Sequence, residues 1–180
     1  MQLTDKEIVE QIKSGNNPDI AFRQLVSRYQ EQLYWVIRRI VLNHDDTDDV
    51  LQNVFVKAWK GIPKFREDAN LYTWLYRIAH NESITFINKK KKENNVDIET
   101  ESYHLKASES DYIMDSDEIQ MKLEAALLTL PEKQRSVFHM KYYEEMKYDQ
   151  ISEIVGTSVG ALKASYHLAV KKIEKHLTQN

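Results

Sequence analysis

Between Phe65 and Asn81 the rings of Phe65, Tyr72, Trp74 and Tyr76 alternate with the polar side chains of Arg66, Arg77, His80 and Asn81. Flat faces of this kind can hold unstacked bases, and the donors between them can read base edges. Packing explains the same spacing for Tyr72 and Trp74, and for Leu75 it is the better account. A second candidate lies near the C-terminus. Ile151, Ile154 and Val155 make one apolar face, Gly156-Thr157-Ser158 punctuates, and Val159, Leu162, Tyr166, Ala169, Val170 and Ile173 make the next. A short helix, a glycine turn and a longer helix exposing Lys163, His167, Lys171 and Lys172 read as helix-turn-helix, although a bare αα-hairpin has similar spacing. No catalytic set is visible. The six histidines are scattered without His-x-x-x-His spacing, and there is no cysteine, nucleophile elbow, P-loop or Gly-x-Gly-x-x-Gly run. Asp45, Asp46, Asp48 and Asp49 stand where a helix starts. Capping and first-turn charge explain them better than a metal does, so no metal site and no cofactor is expected.

These residues need elements to position them, and the sequence supplies helices. The chain has 180 residues, 42% hydrophobic and 29% charged, with four glycines and three prolines. That suits one compact domain or two small ones, and gives too few glycines for a dinucleotide fold or an all-β barrel. Neither a signal peptide nor a membrane-length apolar run is present, so a cytoplasmic chain with no membrane insertion is expected. Ser14-Gly15-Asn16-Asn17-Pro18 closes a first short helix. From Ala21 the apolar positions Phe22, Leu25, Val26, Tyr29, Leu33, Val36, Ile37, Ile40 and Val41 keep a helical period. Asn43 to Asp46 breaks that helix and caps the next, which carries Val50, Leu51, Val54, Phe55 and Ala58 to about Gly61-Ile62-Pro63. A third long helix runs from about Leu71 into Lys89–Lys92. Later, Leu123, Ala126, Leu127 and Leu130 make a short helix, and Pro131 starts another that Val137, Phe138 and Met140 continue.

The net charge of −3 is unevenly spread. Residues 21–92 carry 13 Lys/Arg against 8 Asp/Glu, whereas residues 93–118 carry one against nine. A strip so acidic and poor in apolar residues cannot offset its chain entropy, and reads as a tether. The expected layout is an all-α chain with an N-terminal helical bundle over 1–92, an acidic flexible linker over 93–118, and a helix-turn-helix domain over 119–180. As a coil the tether spans roughly 25–30 Å, and extended it reaches about 90 Å.

Five segments together resemble the σ70-type sigma factors of the extracytoplasmic-function (ECF) class. Ala21-Phe22 with Leu25, Tyr29 and Leu33-Tyr34 resembles the opening of the sigma-2 region. Asp48 to Trp59 is similar to the family's polymerase-binding helix, and Thr73 to Asn81 to its promoter-melting segment. Leu130 to Arg135 resembles the start of the sigma-4 region, and Ile151 to Ile173 its helix-turn-helix. The resemblance implies a transcription initiation factor, not an enzyme, that binds core RNA polymerase through its β′ and β subunits. It also implies promoter DNA as partner, double-stranded at −35 and single-stranded at −10, and an anti-sigma factor.

Carried onto this chain, the polymerase-binding residues are Asp48, Asp49, Leu51, Gln52, Asn53, Phe55, Val56 and Trp59, with Phe55 better explained as packing. The −10 residues are Lys57, Phe65, Arg66, Tyr72, Trp74, Arg77 and Asn81. Among these, Lys57, Phe65 and Asn81 line a pocket for a flipped base that the loop from Phe65 to Leu71 forms. The −35 residues are Thr157, Ser158, Lys163, Ser165, His167 and Lys171. There the chain departs from the family: Ala161-Leu162-Lys163-Ala164-Ser165 stands where Thr-Val-Lys/Arg-Ser-Arg is common, leaving few groups to grip base edges. Lys89 to Lys92 suit either phosphates or a helix C-terminus. An ordinary helix-turn-helix regulator is the competing reading, and it leaves Asp48–Trp59 and Thr73–Asn81 without a use.

Overall fold

The computed structural model describes residues 2–66, 70–93 and 118–179, the side chains of 118–121 and 179 excepted. Residues 94–117 of the acidic strip therefore lie outside the described residues, as do residues 67–69 of the expected pocket loop. Every regular element among the described residues is helical. They form two units, each with its own core.

In the first unit α1 (Asp5–Ser14) begins at Thr4, whose hydroxyl accepts from the Glu7 N–H while the Glu7 carboxylate accepts from the Thr4 N–H. This reciprocal pair satisfies two donors that a helix start leaves open. Gly15, at φ 74°, closes the helix in the left-handed region. The central α2 (Pro18–Val41) opens on a proline and buries Leu25, Leu33 and Ile37 completely. It packs against α1, α3 (His44–Gly61) and α4 (Leu71–Glu93). Asn43 caps α3 as expected, its side chain accepting from the Asp46 N–H at 2.9 Å. A 3-10 turn, Ile62–Lys64, follows α3 and leaves Phe65 extended at φ −65°, ψ 121°. Asn70 then starts α4, its side-chain oxygen accepting from the Thr73 N–H at 3.1 Å. Val54, Ile62 and Leu75 close the core, each fully buried and worth roughly 1.5–3 kcal/mol.

The second unit holds α5 (Glu118–Leu128), α6 (Glu132–Phe138), α7 (Tyr148–Val155) and α8 (Val159–Gln179). Pro131 precedes α6 as its N-cap rather than its first residue. Glu93 and Glu118, the two ends of the acidic strip, are helical residues, the last of α4 and the first of α5. Ala126, Leu127, Leu130, Phe138, Ala169 and Ile173 make the core. The expected continuous helix through Met140 is corrected here: α6 ends at Phe138 and widens into a π turn, His139–Tyr143. Aromatic stacking accompanies that turn, with Phe138 on Tyr142 at 5.1 Å, His139 on Tyr143 at 5.3 Å and Phe138 on Tyr166 at 5.8 Å. Such wide turns are uncommon, and apolar periodicity does not reveal them.

Candidate nucleic-acid and protein interfaces

Helix α3 has two faces of different character. Val50, Val54 and Ala58 point into the core, whereas Asp49, Gln52, Asn53, Val56 and Trp59 are exposed. Val56 retains 51% of its surface and Trp59 38%. Asp48, Leu51 and Phe55 are half-buried. Phe22 of α2 meets Trp59 edge-on at 4.9 Å and Phe55 at 6.4 Å, so Phe55 does pack, as does one side of Trp59, while Gln52, Asn53 and Val56 face outward. Ile20, 55% exposed, stands beside Phe22 in the chain. On the other flank of α3 an open groove of about 600 Å³ is lined by Asp49, Gln52 and Asn53 and, from α4, by Phe86, Lys89 and Lys90. Lys90 pairs with Asp46 across it, and Lys89 with Glu93 on α4 at 3.6 Å. The aspartates at the start of α3 thus serve the helix and a lysine on its neighbour.

The −10 candidates fall into three groups. Phe65 is buried and its ring tilts against Trp74 at 5.1 Å. The Trp74 indole lies over the end of α3, where a β-carbon on Gly61 would come within 3.0 Å of the ring. Tyr72 belongs to another cluster, stacking on Tyr29 at 5.9 Å and meeting Tyr76 edge-on at 6.1 Å. Tyr29 donates to the Asp5 carboxylate at 2.5 Å, and Arg28 pairs with the same carboxylate. Burial, helped by Asp5, pushes the Tyr29 phenol well above its usual range. The third group is polar. Arg66, Arg77 and Asn81 are exposed, and Lys57 reaches from α3 to Glu82 of α4, next to Asn81. Leu75 is fully buried, as a packing residue should be.

One residue at this site carried no signal in the sequence. Lys13, in the last turn of α1, donates from Nζ to the Phe65 carbonyl at 2.6 Å, with the ammonium 5.9 Å from the centre of the Phe65 ring. A lysine at a helix C-terminus is accounted for by the helix dipole alone, so spacing does not single it out.

In the second unit Gly156 adopts φ 68°, and its N–H donates to the Ser152 carbonyl at 2.9 Å. The Ser152 hydroxyl donates to the Thr157 carbonyl at 2.7 Å, fixing the turn, and Ser158 Oγ accepts from the Ala161 N–H to cap α8. Ile151 and Leu162 are buried between the two helices. Lys163, His167 and Lys171, four residues apart, are exposed along α8, and Leu168 stands open beside them. Thr157 and Ser165 are half-buried. The Tyr148 ring has two cations over it, Lys141 at 5.2 Å and Lys163 at 5.8 Å. Burial and then the neighbouring Tyr166 raise the Tyr148 phenol, which keeps its proton.

Set against known proteins, residues 25–93 match the family profile described as Sigma-70 region 2, and residues 120–173 that described as Sigma-70, region 4. The ECF RNA polymerase sigma factor SigW of Bacillus subtilis (strain 168) is 30% identical over 186 residues, covering 98% of each chain. An ECF RNA polymerase sigma-E factor of Haemophilus influenzae is 32% identical over 185 residues, covering 98% of this chain and 96% of that one. Among solved structures, the sigma factor RpoE in complex with the anti-sigma factor NepR from Bartonella quintana aligns with a TM-score of 0.71 at 23% identity, over 87% of this chain and 96% of that one. CnrH, solved in complex with the cytosolic domain of CnrY, aligns with a TM-score of 0.70 at 24% identity over 98% of both. These two likenesses are of fold. No helix among the described residues is long and apolar enough to cross a membrane.

Proposed function

The chain belongs to the ECF class of σ70-family sigma factors, an alternative sigma factor for transcription initiation, and from that premise we propose how its surfaces divide the work. The outer face of α3, with Asp48, Asp49, Leu51, Gln52, Asn53, Val56 and Trp59, docks on the β′ subunit of core RNA polymerase, and Phe55 supports it from beneath. The β subunit is the second contact. Trp74, backed by the buried Phe65 ring, receives an unstacked base of the −10 strand while Lys57, Arg66, Arg77 and Asn81 supply cations and donors around the pair. Tyr72, stacked on Tyr29, fixes the start of α4. Each stacked base contributes about 1–3 kcal/mol, which offsets the unpairing of a few base pairs. Thr157 and Ser158 anchor backbone phosphate, and α8 presents Lys163, Ser165, His167 and Lys171 to the −35 duplex. The chemistry is binding and strand separation, with no bond made or broken by the chain. It works in the cytoplasm, over the three parts 1–92, 93–118 and 119–180, and is held in check by an anti-sigma factor, as the RpoE–NepR complex suggests for this class.

The observation that carries this reading is the unspent face of α3, where amides, an aliphatic side chain and a tryptophan stand in solvent while the opposite face fills the core. Interfaces use such mixed groups with an aromatic anchor. Reconstitution tests it. The purified chain and core polymerase should form a stable complex and initiate specifically from the promoter upstream of the gene for this chain. A chain that binds that DNA but neither joins core nor initiates would be a plain helix-turn-helix regulator.

A further inference from the structure

We propose that Lys13 is a positioning residue for the Phe65–Trp74 pair, so that α1, which lies outside the matched region 25–93, takes part in −10 recognition. This rests on the reading of that pair as the −10 stacking surface. Helix α1 is seated by Ile8, Val9 and Ile12, all buried, and packs on α2 and on the 3-10 turn that precedes Phe65. Phe65 is where the chain leaves that turn. Its N–H is taken by the Ile62 carbonyl at 3.1 Å, and its own carbonyl points back toward α1. Lys13 of that helix donates to it at 2.6 Å. The same ammonium stands 5.9 Å from the ring centre, so a single side chain restrains both backbone and ring. The ring leans on Trp74, and Trp74 in turn rests where Gly61 has no β-carbon.

A stacking surface recognises a base only while its rings hold their mutual angle, and a misplaced group loses much of its effect. Lys13 is well suited to holding that angle. Its own side chain is exposed and fills no core position, so its removal leaves α1 seated by its apolar residues. The dipole account of a lysine at a helix end predicts a small change in stability and nothing at the bases.

The test compares Lys13→Met, which keeps the stem and removes the ammonium, with Lys13→Arg, which restores a donor cation. The full-length variants are assembled with core polymerase. Binding is measured to single-stranded oligonucleotides carrying the non-template −10 strand of that same promoter, native and with each base replaced in turn. Lys13→Met should bind core like the parent and unfold at the same temperature. Its affinity for the native strand should fall about fivefold, the lower end of one lost stacking contact. The ratio between native and replaced strands should fall toward one at the position that stacks on the Trp74 face backed by Phe65, and Lys13→Arg should recover both. Unchanged affinity and ratio in Lys13→Met would overturn the proposal, and so would a loss that Lys13→Arg fails to recover together with a lowered unfolding temperature. If the parent protein does not prefer the native strand over a scrambled one, the −10 reading itself fails and takes the proposal with it.

Discussion

At Gly61 the absence of a side chain makes room for the Trp74 indole, two atoms of which would stand 3.0 and 3.4 Å from a β-carbon there. Gly61→Ala should therefore displace the indole by a few tenths of an ångström. Its cost to stability should stay below about 1 kcal/mol, since alanine also improves the end of α3. Promoter opening should suffer more than folding, and the measurement is permanganate reactivity of −10 thymines beside a thermal melt. Trp74→Ala should go further in the same direction, impairing opening more than polymerase binding. Tyr29 makes a different prediction. Its phenol is raised above the ordinary value of 10 by burial first and Asp5 second, so the folded chain keeps a proton that the unfolded chain loses. The stability this gives is full below pH about 10 and is lost as the pH rises further. Tyr29→Phe should cost about 1 kcal/mol near neutrality and flatten the alkaline limb of a stability–pH curve, read by urea unfolding at several pH values.

Helix α3 puts the polymerase question in its simplest form, since one side of it is committed to the core and the other is not. Val56→Glu should lower affinity for core polymerase at least tenfold, about 1.4 kcal/mol, without lowering the unfolding temperature, as a competition assay with a labelled parent chain would read. Trp59→Ala should lower both, because Trp59 packs on Phe22. Phe55→Ala should do both, because Phe55 packs on Phe22. The helices themselves were legible from punctuation. Gly15 and Gly156 sit at left-handed caps, Asn43 caps α3, and the break at Gly61-Ile62-Pro63 falls at the 3-10 turn. Two kinds of feature were not. The π turn at His139–Tyr143 comes with rings stacked along and across it, contacts that a period of 3.6 does not encode. The Lys13–Phe65 and Lys57–Glu82 contacts join residues 52 and 25 positions apart, and only the folded chain brings them together. The cap of α2 was not legible either: buried Leu42 ends that helix at φ 67°, a left-handed conformation more usual for glycine or asparagine.

At the scale of the whole molecule the sequence joins two helical units through a strip with one basic and nine acidic side chains. From its charge alone, such a strip is expected to compete with DNA for the basic faces of a chain that has no polymerase to bind. Replacing its carboxylates by amides should raise the affinity of the free chain for promoter DNA at low salt. The gain should vanish as the salt rises, and anisotropy titrations at several ionic strengths would show it. The exposed groups have a consequence of their own. Val56 and Trp59, one turn apart on α3, keep 51% and 38% of their surface in water, and adjoining water-facing apolar groups favour self-association. The free factor is therefore expected to be a poorly behaved solute. Its yield on expression alone should be low, its sedimentation should broaden with concentration, and co-expression with whatever covers α3 should cure both. Cells that store such a protein idle would then need a binding partner as much to keep it in solution as to keep it silent.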